Sequence, residues 1–310
     1  MGVSVVVCST SMFLMWAGIE ISSMFFIPLV SSVSMECWGS SSWKYFMVQS
    51  LSSFLLLFSV VVNELTTFLD ELVLAISLLM KVGFFPFTGW VLSMSENMDW
   101  VSFYLIGTVQ KIAPLSMVSK LGFEDSIISS FFLALVVISS FFLSVVSVSK
   151  ISTRWMMVLS STYNVNWLVV SALMGLSTFS LYILLYSMAL LLAIATLSSL
   201  SGSESLFSSL KPSNSSVLSS FPLVMVMGIP PVGVFPAKLE VLVEVLAVSK
   251  GVGAVLLFSS AVFMVMYVRF FVKMYMVTMK WDFVGWGVKV SYFVFLTLVT
   301  NILSLVVINL

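Results

Sequence analysis

Histidine is absent from this 310-residue chain, arginine occurs only at Arg154 and Arg269, and cysteine only at Cys8 and Cys37. With no histidine and only two cysteines the usual ligand sets for zinc, haem and iron–sulfur clusters cannot be assembled, so no metal and no cofactor is expected in the chain. The two cysteines could pair, although in an apolar chain they more often remain small hydrophobes. Charge is scarce as well. Only 8% of the residues are charged, against about 25% in a soluble domain. Net charge is zero, and no long basic or acidic run offers a surface for nucleic acid. A Walker A loop, a dinucleotide fingerprint and a hydrolase motif are all missing, so the chain alone is not expected to catalyse a reaction. A cleavable leader is not expected either, because MGVSVVV lacks a basic start and a small-residue cleavage site.

What fills the chain is apolar. Hydrophobic residues make up 60%, with 27 phenylalanines and 21 methionines. A helix needs roughly 20 apolar residues to cross a bilayer, and ten such stretches are legible, at about 12–33, 44–63, 69–92, 101–121, 127–149, 155–176, 179–200, 219–246, 252–275 and 288–310. The expectation is an all-α polytopic membrane helix bundle of about ten transmembrane helices. It forms a single transmembrane domain over 1–310. The lipid bilayer is its first partner.

Against that background a few charges stand out. Glu20, Lys81, Lys111 and Lys238 lie within apolar spans, and Lys44 opens one. A charge at bilayer depth costs at least ~2.5–3.5 kcal/mol, so each of these is by default a functional site facing protein or water. The alternative for each lysine is a stem that snorkels to the interface, and for Glu20 a structural ion pair. Glu240 and Glu244, one turn apart after Lys238, fit an interfacial cap as well as a proton path.

Helix breakers accompany these charges. Gly83 and Pro86 follow Lys81, with Pro86 freeing the carbonyl of Val82; Pro114 follows Lys111 and would free that of Gln110. Gly228, Pro230, Pro231, Gly233 and Pro236 interrupt the span that carries Lys238. Broken helices at membrane depth are tolerated only where buried or lining a wet cavity, and in transporters they mark ion sites in matching positions of two repeats. Two discontinuous helices are therefore expected, near 81–86 and 228–238. A desolvated ammonium beside such a break is suited to taking up and releasing a proton.

Six segments, in order from residue 16 to residue 238, carry a resemblance. WAGIEISSMFFIPL resembles a W-x-G-x-E segment, WKYFMVQS an I-K-Y-F-x-x-Q segment, and MKVGFFPFTGWV the pattern M-K-x-G-x-x-P-F-H-F-W-V. VQKIAPLS resembles W-Q-K-x-A-P, RWMMVLSSTYNVNW resembles R-K-x-x-A-Y-S-S-x-x-H-x-G-W, and GIPPVGVFPAK resembles G-x-P-P-x-x-G-F-x-P-K. These are segments of the subunit-2 family of mitochondrial NADH:ubiquinone oxidoreductase, antiporter-like membrane subunits of respiratory complex I.

The resemblance implies a non-redox, proton-translocating subunit of the membrane arm, in the mitochondrial inner membrane, with other membrane-arm subunits as partners. Ubiquinone and NADH would be used by the assembled complex, not by this chain. Position by position it implies that Glu20 pairs with Lys81, that Lys111 continues the row and that Lys238 passes protons onward; it also implies that 1–11 is the remnant of a truncated N-terminal helix, which a misassigned start codon would explain equally well. The chain departs from the family's pattern at Thr88 and Gly89, where His-Phe is usual, at Asn164, where histidine is usual, and at Trp155, where a basic residue is usual. Hydroxyls such as that of Thr88, or water, would have to serve there. Abundant serine with scarce arginine fits a mitochondrial code in which AGA and AGG encode serine. The competing functions are a subunit of a multi-subunit cation/proton antiporter and a non-pumping scaffold of the membrane arm.

Basic residues also give an orientation. Odd-numbered connections hold Lys44, Lys150, Arg154, Lys211, Lys273, Lys280 and Lys289, and even-numbered ones only Lys120 and Lys250. The positive-inside rule puts the odd connections on the matrix side and both termini in the intermembrane space. Protease or cysteine labelling from the matrix should therefore reach SGSESLFSSLKPSNSS at 201–216, and labelling only from the intermembrane space would overturn both orientation and span count.

Overall fold

The computed structural model describes residues 1–33, 41–62, 67–95, 98–122, 127–149, 153–200, 225–226, 228 and 233–278. Among them every regular element is helical: α1 Gly2–Cys8, α2 Met12–Val33, α3 Ser41–Val62, α4 Thr67–Val82, α5 Gly89–Ser95 and α6 Trp100–Gly107. There follow α7 Val109–Leu121, α8 Ile127–Ser149, α9 Thr153–Met174, α10 Leu176–Leu200, α11 Phe235–Val248 and α12 Lys250–Thr278. The spans read at 12–33, 44–63, 127–149, 155–176, 179–200 and 252–275 each meet one continuous helix. The span read at 288–310, Pro230, Pro231 and Cys37 lie outside the described residues.

Six stretches of the described helices are long and apolar enough to cross a membrane: Met12–Val30, Ser42–Val61, Trp100–Leu121, Ile127–Ser147, Leu176–Ser198 and Lys250–Arg269. This is a multi-pass membrane protein. Large apolar side chains such as Phe25, Phe54, Phe141 and Leu184 stand exposed on these helices, which suits a lipid-facing surface. Helix α9 is the inverse. Every residue from Met157 to Leu173 is buried, Ser160, Ser161, Thr162, Asn164 and Asn166 included. A polar helix of this kind enters a bilayer only when other helices cover it.

Serine serves this inverted arrangement. The hydroxyls of Ser52, Ser77, Ser116, Ser139, Ser160 and Ser161 each donate to the carbonyl three residues earlier in their own helix. The side chain is thereby satisfied without a partner helix while remaining small enough for close packing. Glycine does the same work where α1 crosses α2. A Cβ on Gly18 would lie 2.8 Å from the Gly2 carbonyl oxygen and 2.7 Å from Val6 Cγ2, so the crossing requires that neither position carry a side chain.

Two compact units divide the chain, the first of residues 1–143 and 157–179, the second of 144–156 and 180–310. In the first, helix is tied to helix by side chains that donate to backbone carbonyls. Trp16 Nε1 on α2 donates to Ser53 O on α3 at 3.2 Å, and Gln110 Nε2 on α7 to Ser22 O on α2 at 3.1 Å. Lys120, which the sequence offered only as a loop charge, closes the C-terminus of α1. Its Nζ donates to the carbonyls of Val6, Val7 and Ser9 at 2.9, 2.6 and 2.8 Å. A cation is favoured at that end because the last carbonyls of a helix carry its partial negative charge.

The span read at 69–92 is broken, as expected, but the break is made by Gly83 first. Gly83 adopts φ +72°, its N–H donates to Met80 O at 3.2 Å, and the N–H of Phe84 donates to Leu79 O at 3.0 Å. This is the Schellman arrangement that ends a helix on a left-handed residue. Helix α5 then turns back against it, so a Cβ on Gly83 would collide with Val91 and crowd Trp90. Left-handed backbone costs a residue with a side chain about 1–2 kcal/mol, and the collision adds to that. Gly83→Ala should therefore lower the thermal midpoint and the yield of the assembled protein; an unchanged yield and midpoint would contradict this account of the break.

Candidate functional site

The breaks place the buried lysines at helix ends. Lys81 occupies the last turn of α4 and is 4% exposed; Glu20 on α2 reaches it, with Lys81 Nζ 3.5 Å from Glu20 Oε2. The pairing that the resemblance implied is thus present between residues 61 positions apart. At an effective dielectric of about 20, opposite charges at this distance attract by roughly 4–5 kcal/mol, which offsets much of the cost of desolvating them. The last carbonyls of α4 favour the ammonium further.

Gln49 on α3 completes this corner, and sequence reasoning missed it. Its Nε2 donates to the carbonyl of Lys81 at 3.2 Å, one of the carbonyls that the end of α4 leaves without an intrahelical donor. Its signal was available in the segment WKYFMVQS, where a buried amide one turn beyond Tyr45 lies on the same face of α3.

Lys111 is 2% exposed, and its Nζ donates to Ser161 O on α9 at 3.2 Å. The break beside it is not where the sequence put it. Pro114 sits inside α7, and the interruption falls at Thr108, with φ −126° and ψ −74° between α6 and α7. There the Thr108 hydroxyl donates to Tyr104 O at 2.8 Å, and the N–H of Lys111 donates to Thr108 O at 3.0 Å. The physical reason is position. A proline at the sixth residue of a helix removes a donor only from Gln110 in the first turn, where the chain is already kinked and tightened.

Lys238, 8% exposed, lies in the second unit in the first turn of α11. Gly228 and Gly233 before it have φ +71° and +67°. The N–H groups of Gly228 and Val234 both donate to Met225 O, at 3.2 and 3.3 Å. A Cβ on Gly233 would strike the Met225 backbone, and one on Gly228 would touch the Lys238 stem at 3.4 Å. The lysine thus folds back over its own break. Pro236 does not interrupt this helix. It is the second residue of α11, where a missing N–H goes unnoticed. Glu240 and Glu244 follow on α11, partly buried.

Of the positions that depart from the family's pattern, Thr88 is 6% and Asn164 2% exposed. The Thr88 carbonyl accepts the N–H of Leu92 at 3.1 Å and opens α5, and Asn164 Nδ2 donates to Ser160 O at 3.0 Å within α9. Lys44 is exposed in the first turn of α3.

Residues 60–264 match a family model described as "NADH:quinone oxidoreductase/Mrp antiporter, TM". Over 223 residues the chain is 32% identical to the NADH-ubiquinone oxidoreductase chain 2 of Artemia franciscana, covering 70% of this chain and 68% of that one. The chain belongs to the NADH:quinone oxidoreductase/Mrp antiporter family, and within it to the chain 2 group.

Another relative, the chain 2 protein of Anopheles gambiae, is 29% identical over 196 residues, 60% of this chain and 56% of its own length. The chain thus spans little more than half of that relative. Among solved structures it resembles a chain of respiratory complex I from Thermus thermophilus with bound aureothin, at a TM-score of 0.78 and 18% identity, over 88% of this chain and 68% of that one. It also resembles a chain of the Mrp complex from Dietzia sp. DQ12-45-1b, at 0.76 and 16%, over 88% and 58%. At such identities the likeness is one of fold, the antiporter-like membrane fold that the resemblance of the six segments implied.

Removing one member of a buried ion pair strands the other. Glu20→Gln should destabilise the protein by about 1–3 kcal/mol, below the 3–5 kcal/mol of a fully enclosed pair because Glu20 keeps some solvent contact. The double variant Glu20→Gln/Lys81→Met should recover part of that loss. Thermal midpoints that simply add would mean that the two residues do not interact.

Proposed function

We propose that this chain is a membrane-arm subunit of respiratory complex I in the mitochondrial inner membrane. In this reading it moves protons across that membrane while NADH:ubiquinone oxidoreduction proceeds elsewhere in the assembly. The observation that carries the reading is the Glu20–Lys81 pair, held at 3.5 Å beside a helix break by Gln49 and Gly83. Passing a proton from Lys81 to Glu20 turns an ion pair into a neutral pair. The two states are balanced between Coulomb attraction and desolvation, so a small movement at the break can favour either. Lys111 and Lys238 stand in the first turns of α7 and α11, where the helix dipole opposes a positive charge. Both termini face the intermembrane space in this reading, the partners are other membrane-arm subunits, and the chain itself holds no cofactor.

A second reading, a subunit of a multi-subunit cation/proton antiporter, is supported by the fold likeness to the Mrp complex chain. The curated relatives with chain 2 names favour the first. A scaffold without transport is disfavoured by the cost of three buried lysines.

Lys111→Met keeps the length and apolar stem of the side chain and removes its nitrogen. The assembled complex should survive, with proton uptake by sealed vesicles and quinone-reductase turnover both reduced by roughly 100-fold, as for loss of a proton-transfer group. Wild-type pumping, normalised to assembled complex, would take Lys111 out of the path.

A further inference from the structure

Helix α3 carries one buried polar group that the charged residues and Gln49 leave unexplained. Tyr45 is 1% exposed, and its hydroxyl has no hydrogen-bond partner among the described residues. Its ring belongs to an apolar cluster with Phe26, Val30, Met94, Met98 and Ile106, edge-on to Phe26 at 5.2 Å and to Trp90 at 5.8 Å. Phenylalanine would fill that space without burying an unsatisfied hydroxyl, so packing alone does not call for tyrosine.

Position supplies the reason. Lys44, the preceding residue, is exposed at the surface end of α3, whereas Gln49, one turn deeper by about 6 Å, touches Lys81. Phe26, whose ring meets that of Tyr45, lies on α2 six residues after Glu20, and Glu20 Oε2 is likewise buried without a hydrogen bond among the described residues. The apolar cluster therefore lies as a plug between the surface end of α3 and the ion pair, and the Tyr45 hydroxyl is a polar atom set within it.

We propose that Tyr45 is the proton-carrying residue that connects the Lys44 end of α3 with the Glu20–Lys81 pair through this plug. The proposal rests on the reading of that pair as a proton-transfer site. In the step, the Tyr45 oxygen receives a proton from water on the Lys44 side as its own proton leaves, by way of a bridging water, for the Glu20 carboxylate. One O–H bond forms and one breaks, the tyrosine is neutral before and after, and no electron moves.

Tyr45→Phe removes only the oxygen and keeps the ring contacts. In sealed vesicles holding the assembled complex it should leave assembly intact and lower proton translocation at least about 100-fold, the low end for loss of a proton-transfer group. The residual rate should carry a larger solvent deuterium isotope effect than wild type, a change that a packing defect would not produce. Lys81→Met is measured beside it. An inactive Lys81→Met with wild-type translocation and isotope effect in Tyr45→Phe would overturn the role of Tyr45 alone; wild-type translocation in both would overturn the underlying site as well. Should Tyr45→Phe assemble poorly, Tyr45→Gln, with a hydrogen-bonding end, should pump faster than Tyr45→Leu per assembled complex. Equal rates in that pair would overturn the proposal.

Discussion

Everything around the first unit's site follows from the difficulty of holding an ammonium inside a bilayer. Lys81 can be buried because three separate features act on it. A carboxylate from α2 stands at 3.5 Å, Lys81 lies in the last turn of α4, where a cation is favoured, and Gln49 takes over a carbonyl that the broken helix releases. The break itself depends on Gly83, whose left-handed backbone and missing Cβ let α5 fold back onto α4. Loss of any one of these would leave either a charge without compensation or a carbonyl without a donor. Both are costly where no water stands by.

The same constraint explains why the polarity of this protein runs inward. Exposed positions hold phenylalanine, leucine and valine, and the enclosed α9 holds serine, threonine and asparagine. Lys111 uses that polar interior when it donates to Ser161 O. Asn164 is an amide, neutral and held to its own helix by Ser160. An amide can donate and accept hydrogen bonds but does not change charge in the physiological range, so the groups of this interior that can change charge are the lysines and the carboxylates.

Individual residues mark how far sequence reasoning reaches. The depth of Lys81, Lys111 and Lys238 was legible because charge in an apolar run is costly wherever it occurs. Gly83, Gly228 and Gly233 were legible because glycine and proline limit helices locally. Pro114 misled, since the rule that proline ends a helix takes no account of a kink already present at Thr108. Gln49, Gln110 and Lys120 went unrecognised as supports because their partners are carbonyls of distant helices, at Lys81, Ser22 and the end of α1. Every residue offers such a carbonyl, so no local pattern announces which one is used.

By itself, then, the chain determined its all-helical class, most of its spans and the identity of its buried charges, because hydrophobic length and charge cost are properties of a segment and the bilayer alone. Which charge meets which, where the fourth span bends and which amide holds the break were decided only when the helices packed. Those outcomes depend on distances between segments far apart in sequence, such as the 3.5 Å between Glu20 and Lys81. Such distances are set by the glycine crossings and side-chain-to-carbonyl ties that tertiary structure creates.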